Sequence, residues 1–119
     1  MLDHVRIPVH DLDASRTFYE PLMNGLGAQV VFELPGLLIY GTEDGAVALG
    51  EQDDFSSMHV AFRTDRAGVD AFYAAAMAGG AVDNGEPGLR PHYHENYYAA
   101  FVNDPNGHNI EAVCHQPQA

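Results

Sequence analysis

Apolar residues recur along this chain with two different periods. Over residues 2–9 they alternate: Val5, Ile7 and Val9 share one face, while Leu2, His4 and Arg6 share the other. That spacing predicts a strand with one buried face. The period then lengthens. Leu12, Phe18, Tyr19 and Leu22 form a stripe at helical spacing, and Asp11 or Asp13 is placed to cap its start. Three shorter strands are expected at 29–33, 37–41 and 46–50, separated by the turn pairs Pro35-Gly36 and Asp44-Gly45.

The same order then repeats. Met58, Val60 and Phe62 alternate as a strand. A helix beginning near Asp65 carries Val69, Phe72, Tyr73, Ala76 and Met77 as its stripe and ends at Gly79-Gly80. Strands are expected at 81–84, 97–103 and 108–114, with a Gly/Pro-rich loop over 85–96. The pairs His4/His59, Phe18/Phe72, Met23/Met77 and Gly27/Gly80 recur at an offset that drifts only from 55 to 53. Four matches in order imply an internal duplication. The expected fold is α+β, a βαβββ module used twice within one domain over 1–119. The modules span about 1–51 and 58–115, with a polar linker at 52–57.

Composition narrows the chemistry. The 119 residues, 46% of them hydrophobic, can bury a core. The net charge is −12, and all five basic residues are arginines. Such a surface repels phosphate backbones and anionic membranes, so no nucleic acid and no membrane is expected as partner. A small molecule or a metal ion suits this charge better. The single cysteine, Cys114, forms no internal disulfide, and its strand parity makes it a buried, inert thiol. No leader-like segment opens the chain and no apolar run is long enough to span a bilayer, so a cytoplasmic location is expected.

The parity of three strands raises a question about Glu111. In the last strand Ile110, Ala112 and Cys114 alternate on the apolar face, leaving Asn109, Glu111, Val113 and His115 opposite. His4 and His59 lie on the corresponding faces of their strands. A carboxylate beside a sheet core must be solvated, paired or bound to a cation. An antiparallel sheet often has one wet face, so solvation is the plain expectation. Two histidines and a carboxylate on one surface, however, also form a set that holds Fe(II), Mn(II), Ni(II) or Zn(II).

The stretches HVRIPVHDLDASRTFYEPL, HVAFRT and YYAAFVNDPNGHNIEAV resemble the vicinal oxygen chelate superfamily. That group includes glyoxalase I, bleomycin-resistance proteins, fosfomycin-resistance enzymes and extradiol dioxygenases. The resemblance covers essentially the whole chain, and AFVNDPNGHNIEAV is its most specific element. The tail PGLRPHYHENYYAAFVNDPNGHNIEAVCH is similar to a small bacterial branch of the superfamily. The resemblance implies paired βαβββ modules related by a pseudo-twofold, with curled mixed sheets forming a cup. It also implies a divalent metal ion, whose ligand positions fall on His4, His59 and Glu111. Glyoxalase I-like members carry a fourth ligand from the last strand of the first module. Matching GAVALG to GHNIEA puts Leu49 there, with Glu51 on the same parity. An open three-ligand site argues for a dioxygenase-like arrangement over ordinary glyoxalase I chemistry.

Further candidates surround this set. His92, His94 and Tyr98 are expected to move protons from the loop and the strand after it. Arg6 and Arg90 are expected to bind substrate. Relatives cover their sheet edges by dimerising, so a homodimer is expected. Two readings follow. One is a metal-dependent dioxygenase- or lyase-type enzyme that binds a small substrate through vicinal oxygens. The other is a metal-free protein that sequesters a small, antibiotic-type molecule. A thiol or glutathione-type lyase or transferase is a variant of the first, and it suits the acidic charge less well.

Overall fold

The computed structural model describes residues 1–118. It divides into two compact units, residues 1–56 and a second beginning at Ser57. In the first, β1 (His4–Val9) leads into α1 (Leu12–Gly25), followed by β2 (Gln29–Leu34), β3 (Leu37–Gly41) and β4 (Ala46–Glu51). In the second, β5 (His59–Arg63) leads into α2 (Arg66–Ala78), followed by β6 (Val82–Leu89), β7 (Tyr98–Asn103) and β8 (Asn109–Cys114). Each unit is therefore βαβββ, and the α+β expectation holds.

Both helices start where the sequence places them. Asp11 accepts from the Ala14 amide at 3.1 Å, and Asp65 accepts from the Gly68 amide at 2.7 Å. Each side chain satisfies a donor that the helix itself cannot. Phe18, Tyr19, Leu22 and Met23 bury one face of α1 against β3 and β4. Val69, Phe72 and Ala76 do the same for α2, but Met77 is exposed and leaves the expected stripe. With alanines at 74–76, α2 covers its sheet with a narrower face.

The two sheets have matching orders, β1-β4-β3-β2 and β5-β8-β7-β6. In each, the first strand pairs in parallel with the last, and the remaining pairs are antiparallel. The expected loop over 85–96 is shorter than anticipated, because β6 continues to Leu89. Register shifts between Asp83 and Gly85 and between Gly85 and Gly88 carry the strand through this Gly/Pro-rich stretch. Gly85 takes φ +148°, and Pro87 is tolerated because β6 is an edge strand.

Register also corrects the expectation about Leu49 and Glu51. Along β1 and β4, His4 pairs with Ala46, Arg6 with Ala48, Ile7 with Leu49 and Val9 with Glu51. Along β5 and β8, His59 pairs with Asn109 and Ala61 with Glu111. The counterpart of Glu111 is thus Ala48. Leu49 lies fully buried on the Ile7 face, and Glu51 accepts from the Leu12 amide at the start of α1 at 3.4 Å. Four residues join β3 to β4 and five join β7 to β8. That one-residue difference flips every side chain to the other face. Neither Leu49 nor Glu51 is a fourth ligand on the face of His4.

Candidate functional site

The Asp104–His108 connection sets the geometry of the second unit's sheet face. Asp104 Oδ1 accepts from the amides of Asn106 at 2.9 Å and His108 at 2.8 Å, and Gly107 takes φ +87°. The fully buried His108 accepts the Met58 amide on Nδ1 at 3.0 Å, and the Asn109 amide donates back to the Met58 carbonyl. This exchange locks β5 beside β8. It places His59 one diagonal step from Glu111, with the small Ala61 directly beside the carboxylate.

Glu111 is only 1% exposed. Its carboxylate is therefore not solvated, as the plain expectation had it, but paired. Oε1 lies 3.0 Å from His59 Nε2, and Oε2 accepts from the hydroxyl of Tyr97. The other nitrogen of His59, Nδ1, lies 3.2 Å from the Asn109 carbonyl. A carbonyl only accepts, so Nδ1 carries a proton and the Nε2 lone pair of a neutral ring points at Glu111. Two acceptors thus face one another unless a proton or a cation lies between them. Anchoring one imidazole nitrogen on a backbone carbonyl is also how metal-bound histidines are oriented. His59 and Glu111 thus offer one nitrogen and one oxygen donor of the kinds a divalent ion takes.

His4 belongs to the first unit, at the start of β1, where its Nδ1 lies 2.7 Å from Asp3 Oδ1. Among the described residues, no three His, Cys, Asp or Glu side chains are gathered as a metal-binding group. Arg6 donates to Gln52 Oε1 at 2.8 Å and to the Glu51 carbonyl at 3.4 Å. It lies flat over Gly50, where a Cβ would come within 2.5 Å of the guanidinium.

The second unit carries a hollow of about 600 Å³ beside Glu111, walled by His59, His92, Tyr93, His94, Tyr97 and Phe101. His92 and His94 thus lie where the sequence suggested. The Asn96 amide donates to His94 Nδ1 at 3.2 Å, which leaves His94 Nε2–H to donate to His115 Nδ1 at 2.8 Å. Their ring centroids are 5.1 Å apart, about two ring radii beyond the nitrogen spacing, so the rings meet end-on. Arg90 does not reach into the hollow as a free cation. It donates to the carbonyls of Gly88 and Glu86 at 2.8 and 2.9 Å and lies over the Phe101 ring.

Tyr98 is turned away from this face. Its hydroxyl donates to Asp70 on α2 at 2.6 Å, a bond that, with burial, raises its pKa. The tyrosine at Glu111 is instead Tyr97, which the sequence reading placed in the strand without assigning it a role. Burial first, then its bond to Glu111, pushes the Tyr97 hydroxyl up to about 12. It is a neutral donor at physiological pH. The signal that could have found it is parity: Tyr97, Ala99 and Phe101 alternate with Tyr98, Ala100 and Val102, and Phe101 pairs with Glu111.

Comparisons with known proteins agree with this architecture. The model of the Glyoxalase/Bleomycin resistance protein/Dioxygenase superfamily matches residues 1–112. A glyoxalase/bleomycin resistance protein from Albidiferax ferrireducens T118 is 27% identical, with 96% of this chain and 98% of that one covered and a TM-score of 0.86. Two others share the fold. A family enzyme from Burkholderia phytofirmans PsJN is 19% identical, with coverage of 97% and 100% and a TM-score of 0.76. A lactoylglutathione lyase from Agrobacterium tumefaciens is 21% identical, with coverage of 96% and 92% and a TM-score of 0.73. No curated protein matches. Two βαβββ units and a family match across nearly the full length lead to one conclusion: the chain belongs to the Glyoxalase/Bleomycin resistance protein/Dioxygenase superfamily.

Proposed function

We propose that this chain is a metal-dependent enzyme of the dioxygenase or lyase type, acting on a small substrate with two neighbouring oxygens. The observation that carries the reading is the buried Glu111 carboxylate, aimed at a histidine whose far nitrogen is already anchored. His59 and Glu111 would hold a divalent ion, Fe(II), Mn(II), Ni(II) or Zn(II). Such an ion, when bound, supplies Lewis acidity toward a substrate oxyanion. The chain's own groups do the rest. Phe101 and Tyr93 offer flat apolar walls, and Tyr97 holds its proton on Glu111. His92 and His94, on the wall of the hollow, are the groups that would move a proton.

A second reading has its own support. In the metal-free chain, a proton between His59 and Glu111 already satisfies both, and the hollow is lined by aromatic rings. That suits a protein that binds and sequesters a planar, antibiotic-type molecule without turnover. On either reading a homodimer is proposed, because edge strand β2 leaves Val31, Phe32 and Leu34 exposed. No helix among the described residues is long and apolar enough to cross a membrane. Metal analysis of untagged protein decides between the readings. About one divalent ion per chain, lost in Glu111→Ala, supports the enzyme. Protein that stays empty after reconstitution with all four ions sinks that reading and favours the binder.

A further inference from the structure

We propose that Tyr97 is a positioning residue for the metal: its hydroxyl holds the Oε2 side of Glu111 and leaves Oε1 as the single oxygen presented beside His59 Nε2. This inference rests on the metal reading above and adds a residue to it. The two carboxylate oxygens have different neighbours, the phenol on Oε2 and the imidazole on Oε1. A hydrogen bond of this kind orients a ligating carboxylate and limits how it can chelate.

Tyr97 is held for this purpose from several sides. Its ring meets Tyr93 edge-on at 4.8 Å, and His94 and His115 each at 5.3 Å. Its amide donates to the His94 carbonyl at 3.2 Å, and its carbonyl accepts the Arg90 amide at 2.7 Å. The connection between β6 and β7 therefore delivers one hydroxyl to one carboxylate oxygen. The phenol hydroxyl donates to the carboxylate oxygen, which can only accept. Monodentate presentation suits ions that favour few ligands and regular geometry. Calcium, which gathers about six to eight oxygen ligands and often a bidentate carboxylate, is disfavoured.

The test is competition of Zn(II), Mn(II) and Ca(II), each alone, against a chromophoric chelator, using wild type, Tyr97→Phe and Tyr73→Phe. Tyr97→Phe keeps the ring and loses only the hydroxyl. It is expected to bind Zn(II) and Mn(II) about 10–100-fold more weakly, while its relative affinity for Ca(II) rises. Tyr73, whose hydroxyl bonds Asp83 outside the hollow, serves as the control and should match wild type. If Tyr97→Phe lowers the melting temperature of the metal-free protein but binds ions as tightly as wild type, the bond is merely structural and the inference is overturned. Wild type that binds none of the transition ions overturns the metal reading itself, and this inference with it.

Discussion

His59 Nε2 lies 3.0 Å from Glu111 Oε1, although the two residues are not partners in register. His59 pairs with Asn109, and Glu111 sits two residues further along, beside Ala61. On a parallel strand pair that diagonal is bridged only by a long side chain on each side across a small residue. The half-exposed histidine thus reaches a carboxylate that is itself nearly inaccessible.

Glu111→Gln separates binding from folding. The amide can accept from Tyr97 and donate to His59 Nε2, so no buried group loses its partner. Its stability should stay within about 1 kcal/mol of wild type, while bound metal falls to background. Glu111→Ala strands the Tyr97 hydroxyl and should cost about 1–3 kcal/mol. Urea unfolding and metal analysis on the same samples check both outcomes. Equal metal retention in Glu111→Gln would remove Glu111 from the ligand set.

Leu49→Ala tests the register of the first sheet. Leu49 is fully buried beside Ile7, so truncation should cost about 2–5 kcal/mol. A loss below about 0.5 kcal/mol, the range of surface changes, would mean that Leu49 does not face the core. Metal content should not depend on Glu51, so Glu51→Gln should bind as wild type does.

The histidine pair at the hollow has defined tautomers. Since the Asn96 amide donates to His94 Nδ1, both His94 and His115 should carry their proton on Nε2 when neutral. Long-range proton–nitrogen correlation spectra report this directly. A proton found on His94 Nδ1 in the neutral form would break the assigned chain of bonds. His115→Ala should leave the β5–β8 sheet folded and, beyond its own chain neighbours, shift the resonances of residues 90–97.

Alkaline pH should weaken the fold through its tyrosines. Burial, followed by the Glu20 carboxylate, raises the pKa of Tyr40, and the bond to Asp70 raises that of Tyr98. In the unfolded chain both ionise near pH 10. Their stabilising effect is therefore complete below that pH and is lost as pH rises toward the folded-state values. Urea midpoints should fall above about pH 10, and less steeply in Tyr40→Phe. Phenolate absorbance in native protein should lag behind that of urea-unfolded protein. Superimposable curves would rule this out.

Much of the architecture was legible because it rests on local rules. Asp11 and Asp65 were readable as caps because a helix start needs an acceptor there whatever surrounds it. The repeat located both βαβββ units, and strand parity put His59 and Glu111 on one face. Where packing decides, the reading went astray. Met77 has the spacing of a core residue and is exposed. Residues 85–89 look like loop and are strand, since bulges on an edge can absorb glycine and proline.

By itself, then, the sequence determined the order of elements, the duplication and the acidic, lysine-free surface, which depend on composition and periodicity, while its motifs carried the family resemblance. Tertiary structure decided the rest. A four-residue connection against a five-residue one turned Leu49 into the core and made Ala48 the counterpart of Glu111. One step of parity put Tyr97, not Tyr98, on the carboxylate. It also decided that Glu111 is buried and paired rather than solvated. The physical reason is common to all three: a strand's side chains alternate with period two, so a shift of one residue, invisible in composition, exchanges core for site.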